Sequence, residues 1–171
     1  MPQSMIFLGV VLVGIMIGVR LIRRVRDQPR GEATVRELSY DKKRFLLSKA
    51  EKAFYQVLLP VVPEDHVLFP KVRVADVLNV RSGSEKRQSL MNRISSKHFD
   101  FVVCDRKWLE PRLAIELDDA SHRSPDRQAR DAFLDGACEA AGLPLLHIPV
   151  RSTYDQKALG EEVRNNLSQG G

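Results

Sequence analysis

Residues 40–60, YDKKRFLLSKAEKAFYQVLLP, place Leu46, Ala50, Ala53, Phe54, Val57 and Leu58 at helical spacing before Pro60 stops the run. Residues 66–80, HVLFPKVRVADVLNV, are valine-rich with partial alternation and predict one strand or a hairpin, with Pro70 at an edge. Residues 81–97 are polar and basic and predict a loop with a short helix. HFDFVVCD (98–105) and RLAIELDD (112–119) predict two strands, and the few polar residues and Pro111 between them point to a hairpin. Ser124-Pro125-Asp126 has the composition of a helix start: a capping hydroxyl, proline in the first turn, an acid near the positive end. That helix is predicted to run to about Ala141 and stop at Gly142. LPLLHIPV (143–150) is a continuous apolar run of the kind buried on both faces, and a last helix covers about Asp155 to Leu167. The order α, β, β, β, α, β, α predicts an α/β domain, a mixed central sheet with flanking helices.

The N-terminus follows neither period. From Pro2 to Val19 there is no charged residue, and Arg20, Arg23, Arg24 and Arg26 follow at once. Eighteen uncharged residues in a helix span roughly 27 Å, enough for a bilayer core. No Lys or Arg precedes the run and no small-residue cleavage pattern follows it, which argues against a cleaved signal peptide. The expectation is a single-pass transmembrane anchor over residues 1–26, in contact with lipid through residues 5–22. A linker follows over 27–39, then a cytoplasmic domain over 40–171. By the positive-inside rule the N-terminus faces out, which in a bacterium means the inner membrane. The alternative is a buried N-terminal helix. Gly14 and Gly18 form a G-x-x-x-G pair that could pack two such helices into a homodimer.

Composition narrows the partners. The chain has 171 residues, 43% of them hydrophobic, which excludes wholesale disorder. Its formal net charge of +5 favours anionic partners, nucleic acid or acidic lipid. Cys104 and Cys138, the two cysteines, have no C-x-x-C spacing, so they read as small core residues rather than zinc ligands.

The chemistry gathers around RLAIELDDASH. Glu116 and Asp118 are two apart in a strand and share a face. Asp100 sits between Phe99 and Phe101 in the neighbouring strand, where a hairpin would bring it to Glu116. Acids inside strands are disfavoured, and several in one spot raise each other's pKa unless a cation joins them. Oxygen ligands of this kind suit Mg2+ or Mn2+, so Asp100, Glu116 and Asp118 are the expected metal set. A hard cation in a basic protein points to phosphate chemistry. The competing reading is that acids, Asp119 in particular, cluster where a chain leaves its core. Arg81, Lys86, Arg87, Arg93 and Lys97 precede the site strand and are candidates for phosphate contacts.

FDFVVCD…RLAIELDDASH…DRQARDAFLDGACEAAGLPLLHIPV resembles the bacterial family known as domain of unknown function 2726. More distantly it is similar to the very-short-patch-repair endonucleases within the PD-(D/E)XK restriction-endonuclease-like superfamily. The similarity covers about residues 45–155. It implies a restriction-endonuclease-like three-layer fold with a mixed central sheet, and Asp100 and Glu116 as the first and second acids of the site. It puts Asp118 where such enzymes usually have lysine. It puts Asp118 and His122 in a D-G-x-x-H pattern with Asp119 in place of glycine, and it sets Arg130 and Asp131 in an R-D helix. Glu51 resembles an assisting glutamate. The missing lysine leaves its role to Lys97, Lys49 or Lys71. His122 is either a general acid or base or a cap on the turn. Arg130 is either an electrostatic stabiliser that also contacts nucleic acid or a surface residue paired with an acid. His147, in a buried strand, reads as core. The expected function is a membrane-anchored, metal-dependent nuclease acting on nucleic acid, DNA above all, in repair or defence. The alternative is a catalytically degenerate module of the same fold that binds nucleic acid or a protein. A membrane-associated assembly factor is the third reading.

Overall fold

The computed structural model describes residues 39–119 and 125–169 and, of residues 125–130 and 169, the backbone alone. The chain divides into two units, residues 1–44 and 45–171. The expected anchor, most of the expected linker, and His122 lie outside the described residues. Among the described residues no helix is long and apolar enough to cross a membrane. The description that follows is of the second unit.

Helix α1 (Lys49–Leu58) starts where a capping box places it. The Ser48 hydroxyl accepts from the Glu51 backbone N–H at 3.3 Å, and Glu51 Oε2 accepts from the Ser48 backbone N–H at 2.8 Å. Leu46, expected on the apolar stripe, therefore precedes the helix and is 73% exposed. Phe54 and Leu58, one helical turn apart, carry the buried face. Pro60 sits in a single 3-10 turn, Leu59–Val61.

Strand β1 (His66–Arg73) occupies only the first half of the valine-rich segment. The expected single strand or hairpin over 66–80 is not formed: the chain turns into a short helix α2 (Val74–Val77) and then α3 (Arg87–Ser95). Val74 and Leu78, four apart, are both buried beside Ile94, and that packing overrides the strand preference of valine.

Strands β2 (His98–Asp105) and β3 (Pro111–Asp118) form the expected hairpin. Asp105 builds its turn by accepting from the backbone N–H groups of Lys107, Trp108 and Glu110. Helix α4 (Pro125–Ala141) ends at Gly142, whose φ of 70° allows Leu143 N–H to reach Cys138 O at 3.0 Å. Strand β4 (Leu145–Pro149) and helix α5 (Gln156–Gln169) complete the unit, the latter capped by Asp155.

The sheet order is β1-β2-β3-β4, antiparallel except for the parallel β3–β4 pair. One face packs Phe101, Val103, Leu113, Ile115, Leu146 and Ile148 against Phe54 and Leu58 of α1 and Leu159 and Val163 of α5. The other packs Val102, Cys104 and Ala114 against Ile94 of α3 and Leu134 and Cys138 of α4. The fold is mixed α/β, with helices on both faces of a four-stranded sheet. Strand β4 lies at the sheet edge, and His147 and Leu145 are only half-buried while Leu146 and Ile148 are buried. The expectation of burial on both faces is corrected accordingly.

Candidate functional site

The β2–β3 pairing runs through Val103↔Leu113, Val102↔Ala114 and Phe101↔Ile115. One step further the side chain of Asp100 takes over from the backbone ladder: its Oδ2 accepts from Leu117 N–H at 3.0 Å. This holds Asp100 at the parting strands, close enough to Glu116 for the two carboxyls to influence each other. The expected meeting of Asp100 and Glu116 takes place.

On the other side, β1 and β2 pair Pro70 with Phe101 and Val72 with Phe99, which sets Lys71 opposite Asp100. Lys71 has φ of 56°, a left-handed backbone that a residue with a Cβ adopts only at a cost. Its ammonium group donates to Asp100 Oδ1 at 2.7 Å and to Glu51 Oε1 at 2.5 Å. All three side chains are largely shielded, with 29% of Lys71, 16% of Glu51 and 14% of Asp100 exposed. Glu51 thus uses one oxygen to cap α1 and the other to hold Lys71.

Electrostatics follow from this packing. Burial, and then the adjacent Asp100 carboxylate, push the Glu116 carboxyl up to about 8. Glu116 is therefore the proton-bearing partner of the pair. Burial works against the charge of Lys71, but its bonds to Asp100 and Glu51 outweigh this and hold the amine above its ordinary value. Burial would likewise raise Glu51, and the Lys71 hydrogen bond reverses it, leaving Glu51 below the usual carboxylate range.

A cleft of about 770 Å³ opens here, lined by Asp100, Glu116 and Asp118 from the strands, Lys97 from the loop before β2, Asp135 from α4 and His147 from β4, among others. Asp118 projects into it but faces His147: their Oδ2 and Nδ1 lie 3.1 Å apart, and the other ring nitrogen meets Asp135 Oδ1 at 2.8 Å. His147, expected to be core, is thus 34% exposed and part of the cleft wall. Strand β4 places it directly beside Glu116 in the parallel register. Burial lowers its tendency to charge, and the hydrogen bonds to Asp135 and Asp118 more than compensate, raising its pKa.

Of the other expected residues, Lys97 donates to Arg93 O at 2.7 Å and lines the cleft. Arg81 donates to Ala140 O and Arg87 to Val80 O, so both serve the fold. The Arg93 guanidinium lies 3.5 Å from the centroid of the Phe133 ring on α4. Lys86 occupies the N-cap position of α3, exposed and without a side-chain capping bond. The side chain of Arg130 lies outside the described residues.

The expected three-carboxylate metal set is brought together only in part. Asp100 and Glu116 meet, and Asp118 is engaged by His147. Among the described residues no group of three or more His, Cys, Asp or Glu is arranged to hold a metal. Asp100 and Glu116 are nonetheless two hard oxygen donors lining one cleft, a kind that suits magnesium. That ion retains several waters and takes one or two carboxylates rather than a full protein cage. Lys71 was one of three lysines open for the absent role; only pairing across β1 and β2 could select it. His147 and Asp135 were not foreseen, and the single signal was a histidine interrupting an apolar strand.

The family described as "Protein of unknown function (DUF2726)" matches residues 43–167. The chain belongs to this family. The match spans Glu51, Lys71, Asp100, Glu116, Asp118, Asp135 and His147, so the whole cleft is family territory. Comparisons with curated proteins and with solved structures found no match.

Proposed function

We propose that this protein is a divalent-metal-dependent nuclease that hydrolyses phosphodiester bonds in nucleic acid, DNA above all, and that its N-terminal apolar segment tethers it to the inner membrane. The observation that carries the reading is the Lys71 ammonium 2.7 Å from Asp100, which lines the same cleft as Glu116 where β2 and β3 part. An acid, a second acid and a lysine around one point are what the PD-(D/E)XK resemblance implies. Here the lysine comes from the adjoining strand β1 instead of position 118. The helix–sheet–helix layering and the antiparallel β1-β2-β3 run closed by a parallel β4 are compatible with a restriction-endonuclease-like fold.

In this reading Asp100 and Glu116 would hold Mg2+ or Mn2+, and the ion would supply Lewis-acid polarisation of the phosphodiester and activation of water. Lys71 faces the charge that builds on the phosphoryl oxygens and offsets it at fixed geometry. Glu51 keeps the amine in place and charged. Lys86 and Arg93, both exposed on α3 or at its start, supply contacts to backbone phosphates in this reading.

The test is incubation of the full chain in detergent with Mg2+ or Mn2+ and single- and double-stranded DNA and RNA. Cleavage that disappears in Asp100→Ala, Glu116→Gln and Lys71→Met is expected. Cleavage that survives all three removes the assignment. No cleavage with retained, salt-sensitive nucleic-acid binding replaces it by a binding module.

A further inference from the structure

A groove between α3 and α4 shares only Ala132 with the acidic cleft. Leu78 and Ile94, which line it, are buried, and its volume is about 570 Å³. Small-molecule sites are of this size, about 300–1,000 Å³. The α4 wall explains why the space is open. Ala132, Gly136 and Ala140 stand four apart on one helical row, Ala137 and Ala141 lie beside them, and Phe133 is the one large side chain on that wall among the described residues. A Cβ added at Gly136 would meet nothing within 4 Å among the described residues. Glycine inside a helix is costly relative to alanine, and here neither a close neighbour nor a left-handed backbone calls for it.

The groove carries one sign of charge. Among the described residues Arg81 is its only charged side chain, and no acid lines it. Arg81 Nη2 donates to Ala140 O at 2.9 Å, which sets the guanidinium at the C-terminal end of α4 and so at one end of the groove. Arg87 Nη1 donates to Val80 O at 2.7 Å, which brings a second guanidinium to the residue next to Arg81. Both bond carbonyls and, among the described residues, no carboxylate, so each keeps N–H donors for an anion. Apolar length with a cationic end is complementary to an apolar chain with an anionic end. From Ala132 to Ala141 the groove follows α4 for about 13.5 Å. A peptide helix of that length and about 10 Å diameter fills roughly 1,000 Å³, more than the groove offers, whereas a single extended chain is narrow enough to lie in it.

We propose that the groove between α3 and α4 binds a single-chain fatty acid, with the hydrocarbon along the small face of α4 and the carboxylate on Arg81. The site is separate from the acidic cleft and does not depend on the function proposed for that cleft. Arg81 is exposed, so the carboxylate stays in contact with water while the chain leaves it.

The experiment maps a photolabel. The full chain in phosphatidylcholine nanodiscs is irradiated with lauric acid bearing a terminal diazirine, and labelled residues are located by peptide mass spectrometry. Label is expected on the groove residues, within 78–94 and 132–141, and excess laurate should remove it far better than dodecanol, the same chain without the charge. Gly136→Leu fills the open space with a better helix former, so it should melt no lower than the wild type and lose the label. Arg81→Gln, shown by melting to be folded, should label about tenfold less at limiting probe, as fits one lost charge-assisted contact. Label confined to residues 1–26 is contact with bulk lipid and overturns the proposal. Groove label that persists in folded Gly136→Leu overturns it too. Equal displacement by laurate and dodecanol removes the role of Arg81 and with it the fatty-acid assignment. Groove labelling by diazirine-bearing phosphatidylcholine as strong as by the acid replaces the fatty acid by a membrane lipid.

Discussion

Lys71 and Asp100 face each other across β1 and β2, with Nζ and Oδ1 2.7 Å apart, and Lys71 makes this contact from a left-handed backbone at φ 56°. The ion pair and the backbone conformation have separable costs, and substitution tells them apart. Lys71→Ala removes the amine and leaves Glu51 and Asp100 half-unpaired in a shielded place. A loss of about 1–3 kcal/mol of stability is expected, read as a shift in urea midpoint. Lys71→Gly loses the same amine but relaxes the left-handed residue, so it should be more stable than Lys71→Ala by about 1 kcal/mol. Equal midpoints would mean that the conformation is not held by the fold.

The Glu116 proton gives stability a pH signature. Its pKa is about 8 in the folded chain and about 4.5 ordinarily. Between those values the folded state keeps a proton that the unfolded chain has released, so stability falls as pH rises, by at most about 1.4 kcal/mol per unit. Glu116→Gln should flatten urea midpoints measured at pH 5, 6, 7 and 8. His147, raised by its acids despite burial, contributes in the same direction: its share is full below its unfolded value and lost as pH rises through its folded one. The difference between wild type and Glu116→Gln isolates the glutamate; parallel curves would contradict its assignment as the proton carrier.

Ser48 links the helix cap to the cleft. Ser48→Ala should cost about 1 kcal/mol through the lost cap. The Glu51 side chain keeps its bond to the residue-48 backbone N–H but its own N–H loses an acceptor, so if the proposed nuclease reading holds, activity should drop as well, without any change in the residues facing the cleft. Unchanged activity in a destabilised Ser48→Ala chain would show that Lys71 does not depend on the box.

The basic residues divide by what they hold. Arg81→Ala abandons Ala140 O and should destabilise the fold by about 1 kcal/mol. Lys86→Ala should leave the melting temperature alone and, under the proposed function, lower the salt slope of nucleic-acid binding by about 0.9. The reverse pattern, in melting curves and salt titrations, would exchange their roles.

Much of this was written in local pattern. Phe54 and Leu58 at one-turn spacing, the alternation in FVVCD and RLAIELD, Gly142 after an apolar helix, and an aspartate between two phenylalanines each follow from chemistry within a few residues. Those cues determined the order from β2 onward, the β2–β3 hairpin and the approach of Asp100 to Glu116. Strand β1 was overextended because valine spacing in VRVADV suits a strand and a helical turn alike, and contact of Val74 and Leu78 with Ile94 decides between them. The lysine of the site, Lys71, lies 29 positions from Asp100, and Asp135 lies 12 from its partner His147. No local period encodes such distances. The tertiary structure alone decided which lysine pairs with Asp100 and that His147 leaves the core to hold Asp118, because both depend on the register of separate strands and on how α4 packs over them.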